Sequence, residues 1–169
     1  RIMETEREKY PGDAMICYNF AELLWMTGGA EKGKENDYRS RAAGLYEELK
    51  ADNDAHYMAN IRLTEWYYTQ KQYRKAKKCA EKVLASGSDD AFLDLLARIN
   101  AEIEKELEVK CREDPGWESR LELCWCYLQD GKTARGIQLA ESLEKLLPPE
   151  KTAEYKGLLS KLYVEQGEY

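Results

Sequence analysis

Seven residues between Leu63 and Val83 constrain this chain more than any other stretch: Leu63, Tyr67, Lys71, Tyr73, Ala76, Ala80 and Val83. Tyr67 follows Leu63 by four positions and so shares its face of a helix. Ala76 and Ala80 give a second helix a stripe of low relief on which the first can lie. Lys71 stands between the two at the turn. The spacing predicts a helical hairpin, two antiparallel helices meeting large side chain on small. The offsets recur at Leu123, Tyr127, Gly131, Gly136, Ala140, Leu143 and Pro148, now with glycine at the turn and proline closing the unit. A third copy has Leu159, Tyr163, Gly167 and Tyr169, and a looser one has Phe20, Leu24 and Gly28, then Ala42, Tyr46, Leu49 and Asp54.

These offsets resemble the tetratricopeptide (TPR) repeat, whose pattern places a Leu, a Tyr four on, a turn Gly four further, then an aromatic and small residues. The resemblance implies an all-α chain of antiparallel helical hairpins stacked as a right-handed TPR-like solenoid. One stretch departs from it. Phe92, Leu95, Leu96, Ile99, Ile103 and Leu107 mark a single long helix over about 90–112, where the repeat period of ~34 residues would demand another hairpin. Residues 1–169 are expected to form one TPR-like domain. Because the chain opens on Arg1 and stops at a turn, it is expected to be part of something longer.

Punctuation divides the rest. Ile2 to Lys9 reads as a helix stopped by Pro11-Gly12, with Asp13 placed to cap the next. Ala14 to Thr27 is expected to end at Gly28-Gly29. The polar stretch Ala30 to Asp37 leads into a helix over Tyr38 to Lys50, ended by Asp52-Asn53-Asp54. The central hairpin runs from Ala55 to Ala85, and Ser86-Gly87-Ser88-Asp89 stops it and caps the long helix after it. Beyond Asp114-Pro115-Gly116 come helices over Trp117 to Gln129 and Lys132 to Leu147, and after Pro148-Pro149 a last one over Thr152 to Gln166. Lacking a second helix of its own, that last helix is expected to expose an apolar stripe.

Composition narrows the function. A net charge of −6 makes the chain a poor binder of nucleic acid by itself, since neutralising phosphates takes clustered Lys and Arg. No apolar run reaches the ~18 residues of a membrane span. Five cysteines without paired spacing, Cys17, Cys79, Cys111, Cys124 and Cys126, fit reduced thiols and a cytoplasmic location better than a disulfide framework.

Several apparent chemical signals have plainer explanations. Gly28 with Gly33-Lys34 has phosphate-loop spacing, but Glu35 stands where Ser or Thr would hold magnesium, and a helix precedes it where a strand should. Cys124 and Cys126, two apart on a helix, point away from each other and cannot share a metal. His56, the single histidine, lies near a helix start with no nucleophile in sight. Arg74, Lys75, Lys77 and Lys78 alternate with Ala76 and Cys79 as a solvated face does. No acid, base and nucleophile converge, so neither enzyme activity nor a cofactor or metal is expected.

From EKYPGD through AAGLYEEL, NDAHYMANIRLTEWYY and QYRKAKKCAEKV to DDAFLDLL, roughly Ile2 to Leu107, the order resembles the C-terminal helical domain of bacterial helix-turn-helix regulators of the xenobiotic-response-element type. The resemblance implies a domain that dimerises, binds an effector peptide or protein partner, and touches DNA only through a domain missing from this chain. The alternative is a free-standing TPR-type interaction scaffold. Either way the ligand would lie on the concave wall, lined by the first helix of each hairpin. The candidates are Met15, Tyr18, Asn19, Glu22 and Trp25 in one unit, and Met58, Ile61, Arg62, Glu65 and Tyr68 in the next. Apolar pockets, an amide from Asn19 and carboxylates from Glu22 and Glu65 would suit a peptide. The peptide-sensing relatives use asparagines here; Asn60, the second one available, is expected to face inward. Ordinary packing between hairpins would use the same aromatic side chains.

Overall fold

The structure, a computed structural model, describes residues 2–30, 33–54, 56–87, 90–114 and 116–167. Ala55, Ser88, Asp89, Pro115 and Tyr169, each given a place by the sequence pattern, lie outside the described residues, as do two residues of the polar stretch after Ala30. The described residues are all helical and loop, with no strand. In order they form α1 (Ile2–Lys9), α2 (Ala14–Ala30), α3 (Glu35–Asp52), α4 (Tyr57–Thr69) and α5 (Tyr73–Ser86). Then come α6 (Asp90–Glu113), α7 (Trp117–Gln129), α8 (Thr133–Leu143), a 3-10 turn (Pro149–Lys151) and α9 (Thr152–Gln166). The chain divides into two compact units, Arg1–Leu96 and Ala97–Tyr169, with the division falling inside α6.

In the first unit α2 packs on α3, α3 on α4 and α4 on α5. Its core holds Phe20, Leu24, Trp25, Leu45, Tyr46, Leu49, Leu63 and Cys79. In the second, α7 packs on α8 and α9 on both, around Leu121, Cys124, Ala140, Leu143, Tyr155, Leu158 and Leu162. The last helix therefore departs from expectation. Tyr155, Leu158 and Leu162, three and four apart, are buried in this core, and of its large apolar side chains only Val164 is exposed.

The two turns sixty positions apart are built alike. Gln70, Lys71 and Gln72 donate their amides to the carbonyls of Trp66, Tyr68 and Tyr67, the last at 2.8 Å; Asp130, Gly131 and Lys132 donate to Cys126, Leu128 and Tyr127, the last again at 2.8 Å. This geometry needs a left-handed residue in the middle, which is Gly131 at φ +68° in one turn and Lys71 at φ +56° in the other. A side chain in that region is strained, by about 1–2 kcal/mol. Lys71→Gly is expected to raise stability by about 1 kcal/mol, read as a later urea midpoint with an unchanged slope.

A second device repeats. The Tyr four after the first-helix Leu donates its hydroxyl to a Glu on an earlier helix: Tyr67 to Glu47 on α3 at 2.5 Å, Tyr127 to Glu108 on α6 at 3.0 Å, and Tyr163 to Glu141 on α8 at 3.1 Å. Burial and the carboxylate together raise the phenols of Tyr67 and Tyr127, the latter to about 12.

Several expected boundaries move, and α3 spans Glu35–Asp52 where the pattern predicts Tyr38 to Lys50. α2 runs through Gly28-Gly29 to Ala30. Gly28 is buried there, and a Cβ on it would stand 3.2 Å from the Glu35 carbonyl and 3.1 Å from Arg39 Cγ. Close approach of α3 thus explains this glycine, and it ends nothing. α8 stops at Leu143, four residues before the expected Leu147. Asp13 does cap α2, its Oδ1 accepting from the amides of Met15 at 2.9 Å and Ile16 at 3.0 Å.

Candidate functional site

The expected wall residues come from α2 and α4, which side-chain ionic and ring contacts link to one another. Arg62 on α4 reaches Glu22 on α2 with two nitrogens, Nε to Oε1 at 3.2 Å and Nη2 to Oε2 at 3.1 Å. Tyr46 of α3 donates to the same carboxylate at 2.6 Å. His56, just ahead of α4, packs its ring 5.7 Å from that of Tyr18. Its Nδ1 accepts the Ala59 amide at 3.2 Å, so the single histidine serves as a helix cap.

Trp25 lies elsewhere than expected. It is 7% exposed and packs edge-on against Tyr46, with ring centroids 6.1 Å apart. The guanidiniums of Arg39 and Arg62 stand 5.2 and 5.5 Å from its centroid. It belongs to the core and offers a ligand no open face. Asn60 faces inward as expected, donating to the carbonyls of Asp54 and His56 at 3.0 Å each.

What the wall presents to solvent includes an apolar stripe on α2. Met15 is 66% exposed and Met26, eleven positions or three helical turns further, is 69% exposed. Asn19 lies between them, exposed, and Leu23 borders the stripe. On α4, Met58, Ile61 and Tyr68 are half-buried, and Glu65 is exposed with its carboxylate 3.7 Å from Arg62. Met26 is absent from the residues singled out in the sequence, although its spacing from Met15 marks it.

Burial would raise the Glu22 carboxyl, but the hydrogen bonds from Arg62 and Tyr46 outweigh it and leave the group below its ordinary 4.5. A depressed carboxyl adds stability above its unfolded value and loses it as pH falls through the folded one. Glu22→Gln is therefore expected to be less stable than the parent at neutral pH. Below 4.5 the parent should lose stability on acidification more steeply than the variant, as urea midpoints across that range would show.

Two clefts lie away from the wall. One of about 330 Å³, between α1, α2 and α3, is lined by Glu4, Arg7, Glu8, Pro11, Phe20 and Arg41. The other, about 640 Å³, is lined by Glu108, Leu123, Tyr127, Arg135, Gln138, Leu139 and Ser142 of the second unit. Among the described residues no cluster of His, Cys, Asp and Glu is arranged to hold a metal ion, and no helix is long and apolar enough to cross a membrane.

No protein-family model matches the chain, and no curated protein matches it. Among solved structures it is similar to YrrB, described as a TPR protein with an unusual peptide-binding site. The two share 16% identity with a TM-score of 0.47, over 99% of this chain and 85% of that one. At that level of likeness, function has to be read from this chain's own residues.

Proposed function

We propose that this chain is a TPR-like protein-interaction module whose α2–α4 wall takes a peptide or a protein segment. The observation that carries the reading is the exposed Met15–Met26 stripe, set against α4 by the Arg62–Glu22 pair. Exposed apolar side chains in a row mark interaction sites, and methionine adapts to the surface it meets. The right-handed stacking of hairpins, and the place of α6 as a break in the repeat, belong to the same proposal and rest on the offsets in the sequence. The test is a selection of peptides from a random display library against the whole chain. Binders are expected to lose at least about tenfold in affinity to Met26→Glu while the helical circular dichroism stays constant. Binders indifferent to that substitution would place the site elsewhere.

A narrower reading makes this the effector-binding and dimerisation domain of a cytoplasmic helix-turn-helix regulator. It is supported by the resemblance over Ile2 to Leu107, and the free-standing scaffold is its alternative. The codons upstream of Arg1 separate the two: a basic helix-turn-helix segment favours the regulator, and further hairpins or a nearby start favour the scaffold.

A further inference from the structure

We infer that the α2–α4 wall is shaped for the apolar face of an amphipathic helix, and not for an extended peptide. The inference rests on the proposed interaction function and names the class of partner. An extended segment brings unpaired backbone N–H and C=O groups to the surface it lies on, and they need partners once water is excluded. The side chains that answer both are amides and hydroxyls, each with a donor and an acceptor on one group. Of the two amides along α2 and α4 only Asn19 is exposed, because Asn60 is buried with its nitrogen spent on Asp54 and His56. The hydroxyls of Thr27, Thr64 and Thr69 are spent on the carbonyls of Leu23, Asn60 and Trp66, and the phenols of Tyr18 and Tyr68 are half-buried.

The charged groups are spent as well. Glu22 is held by Arg62 and Tyr46, and Arg62 is shared between Glu22 and Glu65. A helix satisfies its own backbone and needs none of these. Its apolar residues, spaced i, i+3, i+4 and i+7, would match the three turns between Met15 and Met26 on one side and Met58 and Ile61 on the other. The one carboxylate left with an open side is that of Glu65, whose side chain is 45% exposed, so the partner helix carries a Lys or Arg at one flank of its apolar face.

Two display libraries of peptides about 16 residues long test this, both selected against the whole chain. One presents a helix-forming scaffold randomised on a single face; the other, equally diverse, carries prolines that forbid a helix. Binders are expected from the first library alone, with a preference for a basic flank that Glu65→Gln removes. Their affinity should fall at least about tenfold with Met15→Lys and Met26→Lys. Proline-containing binders that respond to those two substitutions would overturn the helical partner and leave the wall as a peptide site. Binders indifferent to the substitutions, or none from either library, would overturn both readings.

Discussion

Tyr46→Ala is expected to cost about 3–5 kcal/mol, the usual range for deleting a large buried aromatic ring. Tyr46 has no exposed surface, its ring meets Trp25, and its hydroxyl donates to Glu22 at 2.6 Å. The substitution would open a cavity in the middle of the first unit's core. It would also take one of two partners from a carboxylate whose side chain is 20% exposed. Against the 5–15 kcal/mol typical of a domain, the loss is large enough to leave the first unit partly unfolded at room temperature. Tyr46→Phe keeps the ring and removes the hydrogen bond to the carboxylate, a loss of about 1.5–3 kcal/mol. Urea titrations of both variants should order them parent, Phe, Ala. Equal losses for Phe and Ala would mean that the ring contributes nothing beyond its hydroxyl, contrary to the packing described.

Gly136→Val is expected to cost about 1–3 kcal/mol, through overpacking. Glycine inside a helix normally gives up stability, and replacing it with alanine would gain about 1 kcal/mol in an open position. This position is closed. A Cβ on Gly136 would stand 2.6 Å from Leu162 Cδ2 and 3.5 Å from Tyr127 Cβ, and Leu162 is fully buried. Glycine here lets α8 and α9 approach, as Ala140 does one turn later. The damage should be local, with amide protection falling in α7, α8 and α9 and holding in α2 to α5. Leu162→Val, which removes one carbon from the colliding side chain, should recover part of the loss, giving a non-additive pair. Simple addition of the two costs would show that Leu162 is not the obstacle.

How far the sequence could be read depended on whether the partner of a residue was near it in the chain. α4, α5, α7 and α9 were legible because their apolar spacing and turn residues are local, down to the left-handed position shared by Lys71 and Gly131. Gly28 misled because a terminal glycine and a close-approach glycine look the same until α3 is in place beside it. The end of α9 misled in the opposite sense, since the residues that cover Leu158 and Leu162 belong to α7 and α8.

The same limit governed the wall. Met15, Asn19, Met58, Ile61, Arg62, Glu65 and Tyr68 could be placed on the faces of α2 and α4 from spacing alone. That Glu22 and Arg62 neutralise one another across forty residues could not, and neither could the burial of Trp25 beneath two guanidiniums. Spacing shows which side chains share a face; it does not show which of them are already engaged.

The four methionines make the central claim directly measurable. Met15, Met26 and Met58 lie along the wall, while Met3 on α1 packs partly buried against the first unit's core. With the methionine methyl groups labelled, carbon–proton correlation spectra of the whole chain would be followed during titration with a selected peptide. The account predicts that the methyl signals of Met15, Met26 and Met58 move together and saturate at one concentration while Met3 stays in place. Binding that leaves these three signals unmoved, or moves Met3 as much as the others, would contradict the assignment of the α2–α4 wall.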